Sequence, residues 1–315
     1  MLRRIHELAA ETAADHIPRQ HVLTKAILRR FAAASGPDKG LIYPFRLQHP
    51  QARHRLLGPD GCGKVPDFIA FASGSAERLW KETEDKLHDA LAAVDNGTLL
   101  DSPAHMATIK DVIALHYVRS SAARLVHVRT WVRVYAASRA RWLTNWRWLL
   151  EEEFYRAKGL YAAGDQALSL FLDQVMQPSI DRAVSGQLFR VRVEDLFGQA
   201  RQWMSGQGLE ILSPAGGELL IGDVPALTIR HDRSQAGVLG GIALGDANTV
   251  IMPLGPRHLA ALGRTNLAGE LSPDQVASVN GRQIDSAIEY VYLRPGSGLE
   301  RRVRSLIARR QSAAA

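Results

Sequence analysis

Between Ala104 and Lys158 neither proline nor glycine interrupts the chain, whereas beyond Gly206 the two recur every few residues. A stretch with no breaker and many good helix formers stays helical, because nothing removes a backbone donor or invites left-handed backbone. Short β-prone runs bounded by Gly, Pro and Asp read instead as strands. Helices and strands are thus segregated along the sequence, which points to an α+β architecture. The expectation is a helical bundle packed against a small, mostly antiparallel β-sheet, with a C-terminal helix, in a single domain over 1–315.

Four stretches make up that domain. Residues 1–75 begin with a helix over 1–36, carrying Leu23, Ile27, Leu28 and Phe31 at helical spacing, and continue as an irregular segment. That segment has strand candidates at 41–45 and 68–71. Residues 76–207 are the helical region. A helix over 76–94, with Ser75 as a possible cap, puts Trp80, Leu87, Leu91 and Val94 on one face. Ser102-Pro103 starts the next, running to about Lys158. Helices over 165–182 and about 193–205 follow. Residues 208–295 hold strands near 209–212, 218–221, 226–229, 240–244 and 249–252, then a helix from Ser272-Pro273-Asp274 to about Val291. Residues 296–315, with Arg301, Arg302, Arg304, Arg309 and Arg310, read as a basic tail.

Composition narrows the classes. With 46% hydrophobic and 23% charged residues the chain can bury a sizeable core. No apolar run approaches the ~18 residues of a membrane span. The charged start, Met1 to Glu7, has no apolar stretch behind it, so no secretory signal is expected. Cys62 is the only cysteine, which excludes an internal disulfide and fits a cytoplasmic protein. The net charge of +7 favours an anionic partner, nucleic acid or nucleotide. A GC-rich genome accounts equally for the bias of 32 Arg against 7 Lys.

Several motifs resemble chemistry without meeting its requirements. Gly58-Pro-Asp-Gly-Cys-Gly63-Lys64-Val65 approaches a phosphate-cradling P-loop. Val65 lacks the hydroxyl that would hold magnesium, and Pro66 stands where a helix should begin. Cys62, in the same loop, has only Lys64 nearby to lower its pKa. The eleven histidines show no metal-ligand spacing, so no structural zinc site is expected; a single divalent ion on scattered carboxylates stays open, and no cofactor is identified. Residues 112–150 carry seven arginines, no lysine and no acid, interleaved with Trp131, Tyr135, Trp142, Trp146 and Trp148. Such a pattern suits single-stranded nucleic acid. On one continuous helix, Arg119, Arg129, Arg133, Arg141 and Arg147 would share an arc of about 120°. A solvated face of an amphipathic helix explains the same pattern.

Four segments, in order, carry a family resemblance. His21-Val-Leu-Thr24-Lys-Ala-Ile-Leu28-Arg-Arg-Phe31 has a histidine, then a leucine and a phenylalanine, with Thr24 at a position that is often proline. Leu79-Trp-Lys-Glu-Thr-Glu84 supplies a recurring glutamate. Ile113-Ala-Leu-His116-Tyr-Val-Arg119 has a Gln or His three residues before an arginine. Leu220-Ile-Gly-Asp223-Val-Pro225 has the form Asp-x-Pro, and Met252-Pro253-Leu-Gly-Pro256 resembles a Pro-Leu-Ser-Pro turn with Gly255 for serine. Asn280 in the last helix also fits. Together these resemble the bacterial domain-of-unknown-function family 4238, over about residues 21–293.

Helical geometry directs the same residues inward. Glu84 shares the apolar face of Trp80 and Leu87, and His116 and Arg119 project together with Ile109 and Ile113. Two readings stay open. In one, His21, Glu84, His116, Arg119 and Asp223 line a catalytic pocket: Glu84 or His21 moves protons, Arg119 grips an anion, and Asp223 orients a histidine or binds a metal. The enzyme would be a hydrolase or nuclease-like protein acting on a phosphate-containing substrate. In the other, Glu84 and Arg119 are a buried ion pair, His116 is a satisfied core histidine and Asp223 caps a turn. Non-catalytic alternatives are a nucleic-acid binder using Arg129, Arg133, Arg141 and Arg147, and, from the family's setting, a partner-binding component of a bacterial defence or stress system.

Overall fold

A computed structural model of the protein describes residues 19–52, 54–66, 68, 73–184, 186–230 and 243–314. The fold is α+β, and the described chain gathers into two compact units. One is built around Arg124–Arg192. The other takes its described residues from 17–68, 74–123 and 193–315.

The described residues of the second unit form three sheets. Strands β1 (Arg19–His21) and β3 (Lys64–Pro66) pair antiparallel, with His21 opposite Lys64. Strands β2 (Tyr43–Arg46), β10 (Tyr290–Leu293) and β5 (Ile221–Gly222) form an antiparallel set in the order β2-β10-β5. The largest sheet has the order β6-β7-β8-β4-β9, from β4 (Gly208–Pro214), β6 (Leu227–Ile229), β7 (Thr249–Gly255), β8 (His258–Gly263) and β9 (Leu267–Leu271). It is antiparallel except where β4 pairs β9. Helices α1 (Lys25–Arg30) and α4 (Pro103–Val118) pack on β7. Leu227, Ile251, Leu259 and Ala261 join Val276 and Val279 of α9 (Pro273–Ser286) in one apolar cluster.

Side chains of α9 complete the backbone pairing along 218–225, beside the β5–β10 ladder. Asn280 accepts from the Leu220 amide and donates to the Glu218 carbonyl, while Gln283 accepts from Gly222 and donates to Pro225. Backbone groups that would otherwise be buried unpaired are satisfied this way. The Pro-Leu-Gly-Pro turn has a similar logic. A Cβ at Gly255 would lie 2.8 Å from Nε of Arg30, whose guanidinium forks onto Asp95 at 2.7 and 2.6 Å.

Several expectations change. The breaker-free stretch is three helices, α4, α5 (Ser121–Thr144) and α6 (Arg147–Lys158). Ser120 accepts the Ala123 amide at 3.1 Å and so opens α5 as a cap, a signal that competes with helix continuation. The helix expected over 76–94 is α2 (Ser73–Asp85) and α3 (Leu87–Asp95), and Ser75 lies inside α2. Helix α9 stops at Ser286, because residues 290–293 pair as β10. Residues 299–314 are not a tail. They form α10 (Leu299–Ala314), which buries Val303 and Ile307 against Phe45, Val291 and Leu293. In the described part of 1–36, only Lys25–Arg30 is helical; residues 1–18 lie outside the described residues, as do 69–71 and 240–242 of two expected strands. Ser102 and Ser272 cap their helices as expected, Ser272 in a full capping box with Gln275. Among the described residues no helix is long and apolar enough to cross a membrane.

The other unit comprises most of α5, all of α6, α7 (Asp165–Val184) and the start of α8 (Gln187–Ser205). Its core is Leu150, Phe154, Leu168, Phe171 and Leu172.

Candidate functional site

Thr24 precedes α1 in extended conformation and brings the start of that helix onto α2 and α4. Gly63 makes this approach possible. Its φ is +65°, and a Cβ there would fall 2.9 Å from Cβ of Leu23.

His116, near the end of α4, has no exposed surface. Its Nδ1 lies 2.8 Å from the Val112 carbonyl, so Nδ1 carries the proton and donates. Nε2 then accepts the Thr24 amide at 3.1 Å. Burial is the main cause that lowers its pKa to about 4; the Val112 bond opposes this and Arg119 adds to it. His116 is therefore neutral, with both ring nitrogens engaged.

Thr24 Oγ1 donates to Glu84 Oε1 at 3.1 Å. The same oxygen accepts Arg119 Nη1 at 2.7 Å. Arg119, 1% exposed, also reaches both oxygens of Glu77 at 3.4 Å and lies 4.3 Å over the Trp80 ring. Glu77, Trp80 and Glu84 recur at helical spacing on α2, which is why one guanidinium meets all three. Burial raises the Glu77 pKa, against the pull of Arg119 and with the push of Glu84. Thr24 and Glu77 do not stand out in the sequence as site residues. The signals for them are the seven-residue spacing from Glu77 to Glu84, and Thr24 in place of the family's proline.

His21 is half-buried on β1. Its Nε2 is enclosed and has no hydrogen-bond partner among the described residues, and the same holds for Nε of Arg119. Burial lowers the His21 pKa to about 4; Lys25, Lys64 and Arg119 add to this, and Glu84 opposes it. Lys25 is partly neutralised by Asp60 at 2.5 Å.

The structure thus brings Glu84, His116 and Arg119 into one bonded network and sets His21 within its electrostatic reach. Asp223 is placed elsewhere. Its carboxylate accepts the amides of Ile288, Glu289 and Tyr290 at 2.8, 2.7 and 2.9 Å, holding the turn into β10. Burial raises its pKa, and those three bonds counter the rise. No described contact joins Asp223 to Glu84, His116 or Arg119.

The arginine face also divides. Arg119 is buried at the end of α4. Arg129 and Arg133 are exposed on α5, as is Arg141, which lies 5.7 Å over the Trp146 ring. Arg147 belongs to α6 and is paired with Glu151 at 2.9 Å and Asp165 at 2.6 Å. The single-helix arc does not exist, because the chain breaks at Arg119–Ser120 and again at Asn145–Trp146.

At the P-loop-like sequence, Pro59–Gly61 is one 3-10 turn followed by β3, with no helix to receive a phosphate. Cys62 is buried, which pushes its thiol up to about 12. Among the described residues no group of three His, Cys, Asp or Glu side chains is placed to hold a metal ion.

These features define an α+β protein whose inward polar groups come from the segments that carried the sequence resemblance. The chain belongs to the family described as "Protein of unknown function (DUF4238)", whose model matches residues 19–297, most of its length. No curated protein and no solved structure matches it.

Proposed function

We propose that the chain is a hydrolase of phosphate esters, nuclease-like in chemistry, with His21 as its proton-transfer residue. The observation that carries this reading is the enclosed Nε2 of His21, unpartnered among the described residues, beside the Glu84–Arg119 network and in the field of Lys25 and Lys64. A neutral imidazole with a free nitrogen is ready to accept a proton. Two nearby ammonium groups favour an anionic substrate. Binding that anion supplies negative charge beside His21 and raises its pKa from about 4 towards the range useful for proton transfer.

In the reaction, His21 Nε2 takes a proton from water and the water oxygen bonds to phosphorus. The ester P–O bond breaks, and the leaving alkoxide takes the proton. Lys64, opposite His21 in the β1–β3 ladder, holds the phosphate. Glu84, with about a third of its side chain open, faces His21 electrostatically. Arg119, Thr24 and His116 are positioning residues, since Nη1 and Nη2 of Arg119, the amide and hydroxyl of Thr24 and both ring nitrogens of His116 are already engaged.

The test is hydrolysis of p-nitrophenyl phosphate, bis(p-nitrophenyl) phosphate and an oligonucleotide by the full chain, with and without added divalent cations. His21→Ala is expected to lower kcat roughly 10²–10⁴-fold with the melting temperature kept, and Lys64→Ala to raise KM. Cleavage of none of these esters, or unchanged cleavage by His21→Ala, rejects the reading.

A second reading rests on α5, whose exposed face presents Arg129, Arg133 and Arg141 with no acidic residue in the helix. It makes the protein a nucleic-acid binder without catalysis, with affinity that falls steeply as salt rises.

A further inference from the structure

Helix α9 covers only part of the five-stranded sheet. Beside it, the sheet floors a cavity of about 810 Å³, within the size range of small-molecule sites. The floor is largely aliphatic: Leu212, Ile229, Ile251, Leu259, Ala261 and Leu271 all line it, with Thr249 beside them. Five of these six come from four adjacent strands, and their side chains share one face because alternate residues point the same way.

The rim differs. Arg264, just after β8, and Arg282, on α9, both line the opening. Neither has an ion-pair partner among the described residues. Glu210, opposite Ala261 on β4, brings one carboxylate to that same face, leaving the lining with a net charge of +1. An aliphatic floor under two unpaired guanidinium groups is complementary to a molecule with an aliphatic body and one anionic end. Burial of the body provides non-directional attraction, and the fork of an arginine fixes a carboxylate or phosphate.

We propose that this trough is a binding site for a small aliphatic anion, of the acyl-carboxylate class. It is independent of the His21 site, and its residues play no part in the phosphate-ester reading.

The test is calorimetric titration of the full chain with decanoate, decanol and decyltrimethylammonium. Decanoate is expected to bind saturably, decanol roughly tenfold more weakly, and the ammonium compound more weakly still. Ser278→Trp places a bulky ring on α9 at the lip and is expected to abolish decanoate binding without altering the melting temperature. Arg264→Glu with Arg282→Glu is expected to weaken decanoate more than decanol. Saturable decanoate binding that these variants remove supports the site. Absent or unsaturable decanoate binding, equal affinity for decanol, or full binding by Ser278→Trp overturns it.

Discussion

Helices α4 and α5 follow one another with only Arg119 and Ser120 between them, and they treat the same residue types in opposite ways. Helix α4 buries eight residues, among them Ile109, Ile113 and His116, whereas α5, though longer, buries Ala122 alone. Arg119 is stripped of water and must be matched by Glu84, Glu77 and the Trp80 ring. Arg129 and Arg133 stay hydrated and need no such partners. What a charged side chain does is decided by the enclosure around it, so identical residues close together in sequence become a buried clamp in one helix and a solvated surface in the next.

The sharpest way to break this comparison is to remove the charge on each side of it. Arg119→Ala strands two carboxylates beside a desolvated junction, and is expected to cost about 3–5 kcal/mol of unfolding free energy. Arg129→Ala is expected to stay within about 0.5 kcal/mol. Urea unfolding of both variants measures the difference. Equal, small losses would mean that the α2–α4 junction is as wet as α5.

A somewhat smaller effect isolates His116. Its pKa falls from 6.5 in the unfolded chain to about 4 in the folded one. Between those values the unfolded chain binds a proton that the folded chain refuses, so stability rises with pH through that window. The contribution is complete above 6.5 and is lost as pH falls towards 4. His116→Gln keeps an acceptor for the Thr24 amide, matches the family's alternative residue and has no titration. Between pH 7 and 4.5 the parent protein is expected to lose roughly 2–3 kcal/mol more than this variant. His21 shifts in the same direction in both proteins, so it cancels in the difference. Parallel losses would show that His116 is not buried in its neutral form.

The parts of this site that are legible in the sequence are those governed by helical period. Glu84 with Trp80, and His116 with Ile113, lie where a 3.6-residue repeat puts them, so the repeat alone turns Glu84, His116 and Arg119 inward; Leu87 falls in the next helix. The illegible parts depend on pairings distant in sequence. Thr24 lies 92 residues from His116, and no local pattern signals that its amide and hydroxyl join a histidine to a glutamate. Asp223 has a carboxylate, a turn and a burial that all suit an active site. Only the three amides of 288–290 reveal that it is already fully employed. The same applies to the fold. Caps at Ser102 and Ser272 announce α4 and α9, because a cap is a local bond. Strands β8, β9 and β10 do not stand out, and the last reads as part of the preceding helix, because a run of four to six residues becomes a strand only through its neighbours. The break at Ser120 is hidden for a related reason. A serine with helix formers on both sides caps a new helix only where its hydroxyl meets the amide three residues on, as Ser120 does at Ala123.

The smallest effect on stability carries the comparison into function. If α5 binds nucleic acid, its solvated arginines contribute through released counterions. Removing one phosphate-binding guanidinium then lowers the slope of log affinity against log salt by about 0.7–0.9. Arg129→Ala and Arg133→Ala are each expected to flatten that slope by about this amount on a single-stranded oligonucleotide, with unfolding free energies near the parent value. Arg147→Ala is expected to leave the slope unchanged, because Glu151 and Asp165 already occupy its guanidinium. Fluorescence anisotropy titrations at several salt concentrations distinguish the three variants. A slope that responds to Arg147 as strongly as to Arg129 would show that ion-paired arginines serve this surface as well as solvated ones, and the distinction between clamped and solvated arginine would lose its functional meaning here.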